Sequence, residues 1–171
     1  GYSTKNASIA YWASPTIHYI IIFFMIIAGT NFSLLYGAMI RRQWKRLIYD
    51  EEFKTYIYSI LGISLVVAIG LICTRAFDGF QSIEKAFRDA LFQIVTTMTT
   101  TGFSTSDYMS WHPILWLIML LVIPMGATAG STSGGIKIIR LHIVAKNIFY
   151  EFKRVMHPKA IRPIRVNHRI V

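Results

Sequence analysis

The stretch AFRDALFQIVTTMTTTGFST, residues 86–105, joins an amphipathic helical pattern to a threonine-rich loop. Its first part places five apolar side chains on one helical face: Phe87, Leu91, Ile94, Val95 and Met98. Ser82 is a candidate N-cap residue, so the pattern predicts a helix over residues 82–98. Residues 99–105 are polar and contain a glycine, which predicts a loop.

Long apolar runs flank this stretch on both sides. Residues 15–40 and 55–74 carry no Asp, Glu, Lys or Arg and are 26 and 20 residues long. About 20 apolar residues span the hydrocarbon core of a bilayer, so both runs predict uninterrupted transmembrane helices. A third run begins at Trp111 but meets GATAGSTSGG at 126–135, which predicts a broken helix over 111–156.

The composition agrees with a membrane protein. Apolar residues make up 54% of the chain and charged residues 15%, whereas soluble domains average about 25% charged residues. The one cysteine, Cys73, cannot form an intramolecular disulfide, and no Cys/His pattern has zinc-site spacing. No nucleophile, base and orienting acid can be assembled. We therefore predict neither an enzyme nor a cofactor.

The net charge of +10 is confined to a few segments. Residues 41–54 hold five basic and three acidic side chains, residues 137–171 hold nine and one, and residues 75–110 hold three and four. An excess of Lys and Arg marks cytoplasmic segments, so 41–54 and 137–171 are predicted inside and 75–110 outside. Because cytoplasmic segments of a membrane protein carry such basic residues, the positive net charge needs no nucleic-acid binding to explain it. Separately, the two prolines in 157–171 argue against a helix in that segment.

The outer segment predicts a re-entrant helix followed by a polar loop. Such a structure is tolerated within a membrane where it is buried in protein or lines water. An extended loop with inward carbonyls suits a dehydrated monovalent cation, and Gly102 permits the positive φ that such a loop needs. The alternative is that TTTG is an ordinary polar loop or helix terminus.

The segment 126–135 predicts unwound backbone at mid-membrane and hence a candidate gate. Small residues allow close backbone approach, and hydroxyl groups can satisfy freed carbonyls. The alternative is a GxxxG helix-packing face formed by Gly130 and Gly134. A phosphate-binding loop is disfavoured because Lys137 is flanked by isoleucines. The gate residues are Gly126, Ala127, Thr128, Ala129, Gly130, Ser131, Thr132, Ser133, Gly134 and Gly135.

Part of the pattern occurs twice. GYSTKN at 1–6 and GFSTSD at 102–107 agree in register, and each is followed by a proline and a long apolar run. We interpret this as an internal repeat, with the chain beginning inside one copy.

Four stretches carry a resemblance to a known family: GYSTKNASIAYW at 1–12, TTTGFSTSD at 99–107, GATAGSTSGGIKIIR at 126–140 and HPKAIRPIRVN at 157–167. Together they resemble the pore subunit of the TrkH/TrkG/KtrB superfamily of potassium uptake proteins. The resemblance implies an all-α, potassium-channel-like membrane protein built from repeats of helix, re-entrant pore helix, filter loop and broken helix. On this resemblance the chain is a fragment: 1–40 closes the second repeat with a filter end and transmembrane helix, 41–54 is a cytoplasmic linker, 55–156 is the third repeat, and 157–171 is a cytoplasmic connector.

The same resemblance implies potassium uptake across the bacterial inner membrane, with potassium as substrate and 126–135 as the gate. It implies partners: a cytosolic nucleotide-binding ring of the TrkA/KtrA kind, a second copy in a homodimer, and the lipid bilayer. A non-conducting membrane scaffold, a sodium-coupled symporter and a membrane enzyme with its active residues elsewhere remain alternatives. The implied filter residues are Gly1, Tyr2, Thr100, Thr101, Gly102 and Phe103, with potassium at the last four.

Overall fold

The computed structural model describes residues 2–74, 80–156, 165–166 and 169–170. These residues are mostly helical, and the all-α prediction is confirmed. Short 3-10 helices cover Ser8–Tyr11 and Tyr108–Ser110, and two-residue strands β1 (Arg165–Val166) and β2 (Arg169–Ile170) pair antiparallel. The α-helices are α1 (Pro15–Ala28), α2 (Phe32–Met39), α3 (Trp44–Tyr49), α4 (Glu51–Thr74), α5 (Phe80–Met98), α6 (Pro113–Val122) and α7 (Ile138–Met156).

The first predicted span is not continuous, which corrects the sequence interpretation. The chain bends by 106° between α1 and α2, at residues 29–31. The Thr30 hydroxyl bonds back to the Ile26 carbonyl at 2.9 Å, and the Asn31 side chain accepts from the Ser33 N–H at 2.8 Å as the N-cap of α2. These local bonds satisfy backbone and side-chain polar groups at the break. We refer to residues 29–31 as the helix break.

The segment 41–54 is more ordered than a linker. It contains α3, and α4 begins at Glu51 rather than at residue 55. The Asp50 side chain accepts from the Phe53 N–H at 2.9 Å. Glu51 and Glu52 then place negative charge in the first turn, where it is favourable with respect to the helix dipole.

Helix α5 is the centre of the packing. It contacts α4, α1 and α6, and Phe92, Ile94, Val95 and Met98 are completely buried. The predicted N-cap at Ser82 is wrong, because Ser82 lies inside the helix Phe80–Met98. Four residues of the predicted apolar face are buried, and Phe87 is partly buried. Gln93 and Thr96 are buried as well, since protein surrounds this end of the helix.

The outward faces of α1, α4 and α6 are apolar. Leu65 and Val66 of α4, for example, are more than half exposed, as are Leu120 and Leu121 of α6. Contiguous exposed apolar surface of this kind marks contact with a membrane or with further protein. Among the described helices, α4 (Glu51–Thr74) is the one that is long and apolar enough to cross a membrane as a single helix. Helices α1 and α2 together also have the length and composition of a span, but the pair is bent.

The third apolar run is broken: α6 ends at Val122 and α7 begins at Ile138. Helix α6 starts at Pro113 rather than at Trp111. Helix α7 packs on α4, where Lys146 pairs with Glu51 at 2.9 Å and His142 lies 3.2 Å from the Thr55 hydroxyl. Apart from the two strands, the predicted connector 157–171 lies outside the described residues, as do residues 75–79 of the outer segment.

Candidate functional site

The threonine-rich loop leaves α5 through a tight turn. The Thr99 N–H donates to the Val95 carbonyl at 2.9 Å, and the Thr101 N–H donates to the Thr96 carbonyl at the same distance. The Thr99 hydroxyl donates to the Val95 carbonyl at 2.7 Å and lies 2.8 Å from the Thr101 hydroxyl. The start of the loop is therefore fixed to the end of a buried helix.

The loop backbone is left-handed at alternate positions. Thr100 has a φ of +54° and Gly102 a φ of +81°, and Thr101 between them is not among the residues of positive φ. A run of ordinary extended residues points successive carbonyls to opposite sides, whereas alternation of this kind turns them toward one side. A row of carbonyls on one side can replace part of the hydration shell of a monovalent cation.

Polar side chains of α5 hold the C-terminal end of this loop. The Thr105 hydroxyl donates to the Asp89 carboxylate at 3.2 Å, and the Gln93 side-chain amide donates to the Ser106 carbonyl at 2.7 Å. The sequence interpretation missed these two residues. A signal was present, since Asp89 and Gln93 stand next to apolar residues of the predicted buried face, and polar groups in such a place need polar partners.

The N-terminal segment packs on the same loop. The N–H groups of Ile9 and Ala10 both donate to the Ser104 carbonyl, at 3.1 and 3.2 Å, and the Ser104 N–H donates to the Ser8 hydroxyl. The residues that follow the first repeated motif thus contact the second motif itself. Of the predicted filter residues in the first motif, Tyr2 is fully exposed and Gly1 lies outside the described residues.

The small-residue loop, residues 126–135, lies directly beside the threonine loop. The Gly134 N–H donates to the Thr100 hydroxyl at 3.0 Å. An added Cβ at Gly134 would lie 3.6 Å from the Thr100 methyl group, which is ordinary contact. Thr100 therefore joins the two loops that the sequence assigned to filter and gate.

The small-residue loop is folded on itself rather than helical. The Ser131 hydroxyl donates to the Thr128 carbonyl at 2.7 Å, and the Ala127 N–H donates to the Ser133 hydroxyl at 3.0 Å. Gly130 has a φ of +77°, which is incompatible with a right-handed helix. The alternative of a GxxxG helix-packing face at Gly130 and Gly134 is therefore wrong.

The helix break supports the small-residue loop from the other side. The Thr128 N–H and hydroxyl both donate to the Gly29 carbonyl, the hydroxyl at 2.9 Å. The Phe32 N–H donates to the Gly130 carbonyl at 3.3 Å. Carbonyl and amide groups that the break frees from helical bonding are thus used to bind the loop.

Replacement of Thr128 by valine tests this support. Valine keeps the shape but removes a buried hydroxyl donor, which costs about 1 kcal/mol in a typical case. We expect the melting temperature of the full-length protein in detergent to fall by a few degrees. Thr132→Val is the control, because that side chain is exposed and its bond to the Ala28 carbonyl is long, at 3.4 Å. An equal effect of both variants would contradict the assignment.

Two charged side chains also bind the small-residue loop. The buried Glu52 carboxylate of α4 accepts from the Ala129 N–H. The Lys137 ammonium group donates to the carbonyls of Ser133 and Ser131. The loop is therefore held through both its donor and its acceptor groups.

The described ranges contain no cluster of side chains suited to a metal ion. Within residues 2–74 and 80–156, no group of three or more His, Cys, Asp or Glu side chains could hold a metal ion. Asp107, next to the threonine loop, accepts from the Met109 N–H and caps the 3-10 helix Tyr108–Ser110. Backbone amides and carbonyls converge on the two loops with threonine and serine hydroxyls. The side chains of Asp89, Gln93, Glu52 and Lys137 join them.

Comparison with known proteins gives consistent matches over the whole chain. A family model described as TrkH, a cation transport protein, matches residues 1–171. The chain is 36% identical to a Trk system potassium uptake protein TrkH of Salmonella typhimurium, over 99% of this chain and 34% of that protein. It is 30% identical to the Trk system potassium uptake protein TrkG of Escherichia coli, over all of this chain and 34% of that protein.

A solved structure matches as well. The crystal structure of the potassium transporter TrkH from Vibrio parahaemolyticus superposes with a TM-score of 0.91 and 32% sequence identity. The match covers all of this chain and 36% of that one. The chain thus spans about a third of the length of the relatives that it matches.

Proposed function

Because the chain belongs to the TrkH family of cation transport proteins, we propose that it forms part of a potassium pathway across a membrane. The relatives named above are potassium uptake proteins, which supports potassium as the substrate. Since the chain spans about a third of their length, these residues form one part of such a pathway.

In this proposal potassium arrives from the outside and loses water against the carbonyl groups of Thr100, Thr101, Gly102 and Phe103. No covalent bond changes. The positive φ values at Thr100 and Gly102 support this role, because they bring carbonyls to one side of the loop. Gly1 and Tyr2 are proposed to supply the equivalent carbonyls of the preceding repeat.

The small-residue loop is proposed to be the gate. The observation that carries the proposal is the hydrogen bond from the Gly134 N–H to the Thr100 hydroxyl, which joins this loop to the filter. While that bond is made, the loop occupies the inner side of the filter. Ions then pass only when residues 126–135 move aside.

Rubidium flux through the full-length protein in liposomes tests the proposal. We expect uptake that potassium inhibits and that an equal concentration of sodium inhibits far less. A membrane scaffold would give no flux above empty liposomes, which would contradict the proposal. A sodium-coupled symporter would give rubidium uptake that depends on a sodium gradient, so the same assay separates that alternative.

We propose that the protein lies in a bacterial inner membrane as a multi-pass homodimer, with 41–54 and 137–171 on the cytoplasmic side. The charge distribution supports this orientation. In described parts of these segments, basic side chains such as Arg41, Arg42 and Lys45 are exposed. They are available to a cytosolic nucleotide-binding ring of the TrkA/KtrA kind.

Reversal of the charge at Arg41, Arg42 and Arg154 tests the placement of the ring. Three charge reversals in such a contact should weaken ring binding by at least about tenfold at low salt, because charged interfaces steer and hold their partners. Binding of the purified ring to the full-length protein in detergent measures the effect. Unchanged binding would refute the placement while leaving the pathway proposal intact.

A further inference from the structure

We propose that Glu52 is a positioning residue that latches the small-residue loop beside the filter, so that loss of its hydrogen bond to Ala129 releases the loop and increases ion flux. The inference rests on the proposed function of the loop as a gate. It adds to that function a side chain outside the loop that holds the gate closed.

The first observation is the burial of an acidic side chain. Glu52 is 8% exposed, on a helix whose other buried side chains include Tyr56, Ile60 and Val67. An ionised carboxylate is costly to bury without hydrogen-bond donors. The Ala129 N–H, in the middle of the small-residue loop, supplies a donor.

The second observation concerns the loop backbone. Ala129 follows Thr128, whose N–H donates to the Gly29 carbonyl, and it precedes Gly130, whose φ is positive. The backbone turns sharply here, so the Ala129 N–H has no place in a helical or strand ladder. A side-chain acceptor from another element fixes the conformation of this turn.

The third observation is that Glu52 accepts a hydrogen bond from an N–H group of the loop, whereas Lys137 donates to carbonyl groups of the same loop. Lys137 binds carbonyls of Ser131 and Ser133, but it follows the loop directly in the chain. It can move with the loop. Glu52 belongs to α4, 77 residues earlier, so its bond must break when the loop leaves the filter.

The neighbouring residue on α4 makes a different connection. Glu51 pairs with Lys146 of α7 at 2.9 Å. Of two consecutive carboxylates in one helical turn, Glu51 therefore binds α7 and Glu52 binds the small-residue loop. A displacement of α7 relative to α4 would act on the turn that holds the loop.

Flux measurements on the full-length protein in liposomes, without the ring, test the latch. We expect Glu52→Leu to raise rubidium flux by roughly tenfold, because a buried hydrogen bond of the closed state is lost and the Ala129 N–H is left without its acceptor. Glu52→Gln should stay near wild type, since its amide oxygen still accepts from Ala129. Tyr58→Leu introduces leucine on the outward face of the same helix, where Tyr58 is 69% exposed, and should leave flux unchanged.

Thiol labelling of the loop provides a readout that does not depend on conduction. Ala127 is completely buried, so a cysteine there in a cysteine-free background should react slowly with a maleimide. Glu52→Leu should accelerate labelling several-fold, and Glu52→Gln should not. Glu52→Asp, whose shorter side chain does not reach Ala129, replaces the leucine variant if that variant is not recovered from membranes.

Three results would overturn the latch. They are unchanged flux and labelling in the leucine or aspartate variant, reduced flux without faster labelling, and a glutamine variant that behaves like leucine. A wild-type protein that carries no rubidium would instead refute the proposed function. In that case the labelling rates still decide whether Glu52 holds the loop.

Discussion

Replacement of Gly102 by serine is expected to reduce rubidium flux through the full-length protein by at least about tenfold, because a non-glycine residue at a left-handed position costs of order 1–3 kcal/mol. Gly102 has a φ of +81° in the middle of the threonine loop. Serine would relieve that strain by rotation of the backbone. The rotation would turn carbonyls away from the ion.

Gly62→Ala is the matched control for this variant. Gly62 lies within α4, and an added Cβ there meets no atom within 4 Å. Alanine is also the better helix former. Flux should therefore equal that of wild type. A Gly102→Ser protein that reaches the membrane in normal amount and still conducts would count heavily against the filter assignment.

Replacement of Gly126 by alanine is expected to disrupt the small-residue loop. An added Cβ at Gly126 would lie 2.2 Å from the Gly134 carbonyl oxygen, which is backbone and cannot move aside alone. Overpacking of this kind costs about 1–3 kcal/mol. We expect a melting temperature lower by several degrees and a raised basal flux, because the closed conformation of the loop is the one destabilised.

Gly134→Ala is the control within the same loop. Its added Cβ would lie 3.6 Å from Thr100, an ordinary van der Waals distance, and Gly134 is not among the glycines of positive φ. Melting temperature and flux should stay close to those of wild type. Equal changes in the two variants would show that the loop does not adopt the folded conformation described above.

The sequence predicted the helical parts because their patterns are local. The apolar run of α4 and the amphipathic face of α5 depend on composition and spacing alone. The positive φ of Gly102 was likewise inferred from residue type, since glycine is the residue that adopts it without strain. The sequence also indicated that the third apolar run would be interrupted at 126–135.

The helix break could not be predicted in this way. Residues 29–31 lie inside a long apolar run, where hydropathy favours a continuous span. The residues that stabilise the break are distant in the chain. Thr128 donates to the free carbonyl of Gly29, and the Gly130 carbonyl accepts from the free N–H of Phe32. Asn31 was the local signal, since an N-cap residue within an apolar run indicates a helix start.

Glu52 was missed for a related reason. In the sequence Glu52 lies among the charged residues Asp50, Glu51 and Lys54, a pattern that indicates a solvent-exposed turn on the cytoplasmic side. The structure starts α4 at Glu51 and turns Glu52 inward toward Ala129 while Glu51 contacts α7. Which of two adjacent carboxylates is buried depends on helix phase, and the phase is set by packing rather than by residue type.

Anomalous scattering from crystals of the full-length protein soaked in rubidium is the most direct test of the central claim. We predict rubidium density beside the carbonyl groups of Thr100, Thr101, Gly102 and Phe103, on the side of the filter opposite the small-residue loop, and its loss in Gly102→Ser crystals. Rubidium bound elsewhere in the membrane region, with these four carbonyls unoccupied, would contradict the assignment of the threonine loop as the filter.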